Sequence, residues 1–469
     1  MNTNKKTTSV AAIDIKILTI ITVCIIGGLC LSSYGYASGT DPNSIDPNSA
    51  TDPNVVEPNS ITSVYDWVSL ANTPSAWEKS FVLTCDIDLT GITLSPIGTL
   101  SLPFTGYIDG NGHVIRNAHV DSPDDNYVGL IGYLGKEGRV SKLGVESVSV
   151  TGNKFVGGLA GCVYFGSIEQ CYCSGTVIGR TEVGGLTGRN SGQITGCYSN
   201  CSVSGNTLAG GLVGVNKGLS SYVKASYSIG LTTCTDADGY SGGLVGNNGG
   251  FIYACFWDIE TSGLNGSRGG IGLTTDRMKD VATYQNAGWF EAGWTIDNGQ
   301  DYPRPAWENA NGESVPEAAA IALNGTGTEN DPYQVSSADE LAMLGRYASI
   351  SDKCVVFTSD IDASGTEVCP IGNLGPFTGV FDGDGHIIEN LTITNEANDY
   401  AGLFGFVHKA TISNLGVHNI NVTGSNYVGG LIGCNLGGKV CSCYVTGKVS
   451  GESNVGGLIG YSSVNISQN

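Results

Sequence analysis

Two acidic phrases contain the residues of this sequence that are best suited to chemistry. The first phrase has Asp86 and Asp88, followed downstream by Asp109 and His113. It returns later as Asp360, Asp362, Asp382, Asp384 and His386. Carboxylates two positions apart on a strand face the same side, so a calcium ion could be shared by Asp86 and Asp88, and another by Asp360 and Asp362. Turn formation by Asp beside Gly is the favoured interpretation, with calcium binding and acid–base catalysis as alternatives.

The same residues argue against an enzyme. The carboxylates repeat as regularly as the apolar positions, and the basic residues near them are few: Arg116, Lys136 and Lys409. Ser241 lies in a G-x-S-x-G sequence, but it stands where other repeats have Val or Ala, so the match is a by-product of the repeat. The sequence therefore predicts no catalytic residue. A carbohydrate-active β-helix enzyme, either a polysaccharide lyase or a hydrolase, is the alternative, and it would need a groove that breaks the repeat.

Composition narrows the partners and cofactors. The chain has 43 acidic and 22 basic residues, a formal net charge of -21, which would repel a phosphate backbone and excludes nucleic acid as an expected partner. Fifteen cysteines include Cys24 and Cys30 near the N-terminus, which leaves an odd thirteen. At repeated positions we favour small buried apolar cysteines over disulfides or metal ligands. No cofactor other than calcium is predicted.

The N-terminus predicts export. Lys5, Lys6 and Lys16 precede an uncharged apolar run at 17–31, and the small residue Ala37 marks a cleavage position. We assign 1–37 to a signal peptide, with a retained anchor as the alternative. The Pro-, Asn- and Asp-rich segment 38–60 is predicted to be a disordered tether. The expected location is secreted or at the cell surface.

The elements that position these residues are predicted by an internal repeat. Leucines of a Gly-Leu motif recur at intervals of 29, 27, 26 and 32 residues from Leu130, and at 28 and 27 residues from Leu403. The repeated core positions are Gly129, Leu130, Gly158, Leu159, Gly185, Leu186, Gly211, Leu212, Gly243, Leu244, Gly402, Leu403, Gly430, Leu431, Gly457 and Leu458. Short β-branched runs between them alternate in polarity, as strands do. We expect the glycines to provide positive φ at corners.

These spacings predict an all-β protein, a right-handed parallel β-helix or β-solenoid with coils of about 27 residues. Two tandem modules are expected at 61–307 and 331–469, joined by a linker at 308–330. Short amphipathic helices beginning at Ser63 and Ser337 would cover the start of each module. The aromatic-rich segment 274–307 would close the first module by core packing, and the second module is expected to be truncated.

The glycine-leucine units, the two acidic phrases and the sequence GLTTDRMKDVATYQNAGW that begins at Gly272 together resemble bacterial GLUG-repeat proteins. The resemblance covers nearly everything after Ser63. It implies a surface-exposed repeat architecture without its own activity. The sequence therefore predicts an adhesin-like or glycan-binding scaffold, with a structural spacer as a further alternative. The expected partners are envelope or extracellular glycans, or host or surface proteins, and a membrane only through an uncleaved signal segment.

Overall fold

The computed structural model describes residues 59–318, 320–395 and 399–463. Residues 57–469 form one compact unit. The predicted signal peptide and nearly all of the predicted tether lie outside the described residues. Within the described part of the chain, no helix is long and apolar enough to cross a bilayer.

The chain folds into a β-solenoid of about 13 turns, each of about 28 residues, which confirms the predicted architecture and coil length. Neighbouring coils pair in parallel, and the pairing joins repeat-equivalent residues. Val183 lies opposite Val156 in one pair of coils, and Leu208 lies opposite Tyr240 in another. Because each apolar residue stacks on its own equivalent, the repeat in sequence becomes continuous columns of side chains in space.

The strands are short and follow one another closely. In the first module they are Asn59–Ile61, Ser80–Leu83, Ile87–Asp88, Tyr107–Arg116, His119–Val128, Ile131–Leu134, Arg139–Gly157, Ala160–Glu169, Tyr172–Ile178, Thr181–Gly184, Thr187–Thr195, Tyr198–Gly205, Leu208–Gly210, Val213–Lys224, Tyr227–Ser228, Thr232–Cys234, Tyr240–Gly242, Val245–Tyr253, Phe256–Asp258 and Ile271–Leu273. In the second module they are Tyr333–Val335, Cys354–Phe357, Ile361–Asp362, Val380–Asp382, Ile387–Glu389, Thr392–Asn395, Phe404–His408, Thr411–Ser413, Gly416–Gly424, Asn426–Gly429, Ile432–Leu436, Lys439–Cys441, Tyr444–Ser450, Ser453–Gly456 and Ile459–Ser462.

The motif glycines are required for a different reason from the one expected. The expectation of positive φ is wrong for them, because the motif glycines are absent from the positive-φ residues of the described chain. They are required because adjacent coils approach closely. A Cβ on Gly158 would lie 2.6 Å from the carbonyl oxygen of Gly185 in the next coil, and one on Gly185 would lie 2.4 Å from the carbonyl oxygen of Gly211. The missing side chain therefore lets the coils stack.

Each module has its own hydrophobic core. The core of the first module consists of residues between Ile61 and Trp257, and that of the second of residues between Leu323 and Ile432. The motif leucines are fully buried as far as Leu431, as the repeat predicts. Thirteen cysteines are present in the described residues, all as free thiols, and seven are buried. Burial raises the pKa of the Cys162 thiol to about 12, which keeps it neutral.

Short helices begin each module, as predicted. The helices are Val64–Ala71 and Ala338–Leu344, each followed by a 3-10 turn, at Pro74–Ala76 and Ala348–Ile350. The hydroxyl of Ser337 accepts a hydrogen bond from the backbone N–H of Glu340. The Glu340 carboxylate accepts in return from the backbone N–H of Ser336, one residue earlier than a standard capping box requires. Leu341 and Leu344 are buried against the core.

The short helix Ile259–Ser262 precedes the aromatic-rich segment, which packs along the side of the coils. This segment contains the helices Thr275–Met278 and Val281–Asn286, the 3-10 helix Trp289–Ala292, and the strands Trp294–Ile296 and Arg304–Pro305, and the strand Glu313–Ser314 extends it. Tyr172, Tyr198 and Tyr227 stack in successive coils with ring centres 4.9 and 5.0 Å apart. Trp294 lies against this ladder, at 5.7 Å from Tyr227. The aromatic side chains thus serve core packing, and the segment continues through Val315, inside the predicted linker.

Candidate functional site

Asp86 and Asp88 of the first module bind mainly to residues of the next coil. Asp86 accepts hydrogen bonds from the backbone N–H of Val114 at 3.1 Å and from Nη1 of Arg116 at 2.7 Å. Partial burial would raise the pKa of Asp86, but these hydrogen bonds outweigh it and the pKa is lowered. Asp88 accepts from Nδ2 of Asn117 and from the backbone N–H of Thr90, and these contacts lower its pKa.

The second module repeats this arrangement. Asp360 accepts from the backbone N–H of Ile387 at 3.0 Å and contacts Nδ1 of His386 at 3.0 Å, as Asp86 contacts His113. Asp362 accepts from Nδ2 of Asn390. Asp88 and Asp362 also accept from the backbone N–H two residues ahead, which fits the turn-forming role, whereas Asp86 and Asp360 bind the next coil instead. Among residues 59–318, 320–395 and 399–463, no three His, Cys, Asp or Glu side chains are grouped as a metal site would require, so calcium binding stays a prediction.

An aromatic surface of the first module, which we call the first face, consists of Tyr127, Tyr133, Phe155, Tyr164 and Phe165. The rings of Tyr127 and Phe155 stack at 4.6 Å, and Tyr133 meets Tyr127 edge-on at 5.3 Å. Tyr164 and Phe165 lie at its open side, 46% and 51% exposed. Tyr133 and Phe155 are buried beneath them, and exposed large rings on such an aromatic floor are typical of a binding surface.

Basic residues surround the first face. Nζ of Lys154 lies 4.7 Å and Cζ of Arg189 4.3 Å from the ring centre of Phe155, both in cation–π geometry. Arg189 also donates two hydrogen bonds of 2.6 Å to the Glu182 carboxylate. The first face borders a cavity with a volume of about 370 Å³, and Lys217 also lines this cavity. The first face thus combines an aromatic floor with a rim of three cations and one carboxylate.

The second module carries an equivalent surface, the second face. Its residues are Tyr400, Phe406, Tyr427, Cys434 and Leu436, which occupy the repeat positions of Tyr127, Tyr133, Phe155, Cys162 and Tyr164. The rings of Tyr400 and Tyr427 stack at 5.2 Å, and the ring of Phe406 lies 5.3 Å from that of Tyr400. The two faces therefore share one architecture.

Backbone conformation places these rings at the corners of the coils. Tyr127, Phe155, Tyr400 and Tyr427 all have a left-handed backbone, with φ of 63°, 59°, 68° and 58°. Bulky side chains adopt this region rarely, and such residues are common at functional sites. Glu182 and Asn454, at the equivalent position of other coils, have the same left-handed backbone, so this corner conformation belongs to the coil and the four rings are mounted on it.

The second face is covered by the first module. It packs in one cluster with Phe251, Tyr222 and Tyr253, which project from the last two coils of the first module. The rings of Phe251 and Phe406 stack at 5.7 Å. A backbone hydrogen bond of 2.8 Å from the N–H of Ala254 to the carbonyl of Leu374 also joins the two modules, at what we call the junction. One face is thus occupied while the equivalent face is open.

Polar contacts flank this junction. Nη1 of Arg268 lies 3.1 Å from Oδ1 of Asp399 and 3.4 Å from Oγ of Ser425, and the guanidinium also lies over the ring of Tyr240. Ser425 donates to the carboxylate of Glu452. The second face therefore has an acidic rim that meets one arginine of the first module.

Part of this repeat matches a known sequence motif. The model of the GLUG motif matches residues 152–178 and 424–450. The chain carries two GLUG motifs. They are equivalent stretches of the two modules, and each supplies rings to one face: Phe155 and Tyr164 in the first, Tyr427 in the second.

Proteins similar to this chain include long ones. Halomucin of Haloquadratum walsbyi is 35% identical over 162 residues, which cover 32% of this chain and 2% of that protein. A provisionally assigned Gly-rich membrane protein of Evansella cellulosilytica is 28% identical over 360 residues, covering 48% of this chain and 41% of that protein. The chain thus spans less than half the length of either relative. A solved chain, a provisionally assigned immunoglobulin A1 protease of Bacteroides ovatus, aligns at a TM-score of 0.40 and 20% identity, over 54% of this chain and 93% of that one.

Sequence reasoning missed both faces of the GLUG modules. It concentrated on the glycine and leucine positions and on the acidic phrases. The available signal was the ring that directly precedes the motif, at Tyr127, Phe155, Tyr400 and Tyr427. A ring at an outward corner adds nothing to a repeat core, so its recurrence at one position points to a surface role.

Proposed function

We propose that this protein is an adhesin-like scaffold outside the cell, without catalytic activity of its own, that binds a macromolecule of the cell envelope through the first face. The predicted export signal supports the location, as does the likeness to halomucin and to a protein described as a membrane protein. The observation that carries the proposal is that the first face is open while the equivalent second face is filled by aromatic side chains.

The fold suits this role because it holds the rings in place. Tyr127 and Phe155 belong to adjacent coils that pair in parallel, Asn126 with Lys154 and Val128 with Val156. Little conformational entropy is lost when a ligand contacts side chains that are already ordered. The surrounding cations of an otherwise acidic chain favour an acidic ligand.

A solid-phase binding assay tests the proposal. Residues 57–469, which form one compact unit, are immobilised and incubated with the isolated envelope of the producing cells and, separately, with a glycan array. The variant Y164S/F165S removes the two exposed rings of the first face. Y65S is the matched control, because Tyr65 is 78% exposed on a helix distant in sequence from the first face.

The expected result is that the wild type and Y65S bind the envelope material equally, whereas Y164S/F165S binds at least about tenfold more weakly, as loss of a hot spot does. Equal binding by all three would remove the first face from the function. Release of reducing or unsaturated sugars from the array by the wild type would instead support the carbohydrate-active enzyme.

A further inference from the structure

The chain contains one complete example of what such a face binds. The second face holds the outward edge of another solenoid, made by Tyr222 and Phe251 on the adjacent strands Val213–Lys224 and Val245–Tyr253, together with Tyr253. The two edge strands pair in register, with Tyr222 opposite Phe251. A face of this kind therefore accepts an aromatic pair from neighbouring coils.

The first face has the same floor but an opposite rim. Arg268 meets Asp399 and Ser425 beside the second face, and Ser425 binds Glu452. In the first module, the repeat equivalents of Asp399, Ser425 and Glu452 are Asn126, Asn153 and Arg180. Asn153 donates to Asn126 at 3.2 Å, so this part of the rim is ordered. At these three positions the first face has two amides and one cation, and its carboxylate, Glu182, is already paired with Lys154 and Arg189.

The charge difference determines the partner. An edge that carries a cation at the position of Arg268 suits the second face and would meet Arg180 and Lys154 at the first face. Like charges across an interface weaken binding, and opposite charges select the partner. We infer that the first face docks the aromatic edge of a separate GLUG-type solenoid that has a carboxylate where this chain has Arg268. The inference rests on the proposed function and names the partner of the same site.

The same charges separate the two docking events. The chain's own edge, with Arg268, pairs with Asp399 of its second module and is covered there. The first face remains for an acidic edge supplied by another protein. Two faces with one floor and opposite rims thus give two specificities from one repeat.

Probes made from the chain itself test this assignment. Probe A is residues 57–318 with Y164S/F165S, which leaves the edge of Tyr222 and Phe251 uncovered and removes the probe's own first face. Probe B is the same protein with R268E. The first module has a core of its own residues, and cooperative unfolding of each probe is verified before binding is measured. Immobilised residues 57–469 are titrated with each probe by biolayer interferometry.

The expected result is that probe B binds at least about tenfold more tightly than probe A. Y164S/F165S in the immobilised chain abolishes binding of probe B, and R180E reverses the preference between the probes. Arg180 is exposed, so its replacement leaves the fold intact. Equal affinity of the two probes, or binding of probe B that survives Y164S/F165S, would overturn the inference.

If the probes do not unfold cooperatively, they are not properly folded, and a variant of the longer chain tests the inference instead. R268E in residues 57–469 places a glutamate against Asp399 and Glu452 and opens the junction. Its released edge should then associate with the first face of another copy, seen as dimers or longer chains in sedimentation velocity, and Y164S/F165S should abolish them. A monomeric R268E variant that has lost the contact of Phe251 with Phe406 would contradict the inference.

Failure here is distinct from failure of the proposed function. If Y164S/F165S abolishes envelope binding but probe B does not bind, the first face is a binding site for another ligand, and the glycan array shows whether that ligand is a sugar. If neither the envelope nor the probe depends on Tyr164 and Phe165, both proposals fall.

Discussion

Arg268 and Asp399, 131 residues apart in sequence, form an ion pair across the junction of the two modules, with 3.1 Å from Nη1 to Oδ1. The Asp399 side chain is only 4% exposed. Removing one partner of such a pair leaves a buried charge, which costs more than the pair itself contributes. The ion pair therefore contributes more to the choice of docking partner than to stability.

The first prediction is that acid strengthens the packing of the second face against the first module, which we call the docked state, because Asp399 becomes protonated. Burial raises the pKa of Asp399 to about 6, although Arg268 acts in the opposite direction. A raised pKa means that the docked state takes up a proton, so the stabilisation is complete below the ordinary value of 3.8 and is lost as pH rises through about 6. The free energy of unfolding should be higher at pH 5.0 than at pH 7.5, by about 1 kcal/mol from this group.

The D399N variant isolates that effect. Two other groups face the junction: Glu452, whose charge contributes to the raised pKa, and His408, whose pKa is lowered by burial and acts in the opposite direction. Urea unfolding is measured for wild type and D399N at both pH values, and the free energy of unfolding of D399N is subtracted from that of the wild type at each pH. The contributions of Glu452 and His408 cancel in this subtraction. A difference that does not change between pH 7.5 and pH 5.0 would contradict the assignment to Asp399.

The second prediction concerns two equivalent glycines. A Cβ on Gly430 would lie 2.4 Å from the carbonyl oxygen of Gly457 and 2.6 Å from Cγ1 of Val445, whereas one on Gly457 would meet no atom within 4 Å. Gly430→Ala should therefore cost about 1–3 kcal/mol, as overpacking does. Gly457→Ala should change the free energy of unfolding by less than about 0.5 kcal/mol. Urea unfolding measures both, and equal effects would mean that coil contact does not explain the motif.

The sequence was sufficient to predict the coils. Leu159 and Leu186 recur at the coil length, and a stack of parallel strands places such residues on one another. The capping helices followed from Ser337 and Glu340, because an N-cap is a local interaction. The conformation of the motif glycines was not predictable in this way, since it depends on how near the next coil lies.

The two faces and the aromatic-rich segment could not be predicted, because they depend on contacts between residues that are far apart in sequence. Tyr172, Tyr198 and Tyr227 each follow a small residue at one repeat position, but their stacking against Trp294 depends on where the segment after the coils turns back. Likewise, nothing in the local sequence of Tyr400 says that Phe251 covers its neighbour Phe406. Periodicity reports what is alike between coils, whereas docking depends on how they differ.

The third prediction concerns the acidic phrases. Asp86→Asn removes the charge that binds Arg116 and weakens the hydrogen bond from Val114. If its role is to join neighbouring coils, the Tm falls by the same amount in calcium and in EDTA. Asp360→Asn, the equivalent change in the second module, is the matched comparison. A Tm of the wild type that rises with calcium, and no longer does so in the Asp86 variant, would establish the calcium site.

The last prediction concerns the contact between Phe251 and Phe406 that closes the second face. Their rings stack at 5.7 Å in a cluster of mostly aromatic residues, and such pairs are coupled by about 0.5–1.5 kcal/mol beyond the area that they bury. F251A and F406A should each lower the free energy of unfolding, and the double variant should lose less than the sum of the two. F251A combined with I388A should be additive, because Ile388 lies in the core of the second module, outside this cluster. Additivity of F251A with F406A would mean that the modules do not dock in solution as they do in the structure, and the second face would then be open like the first.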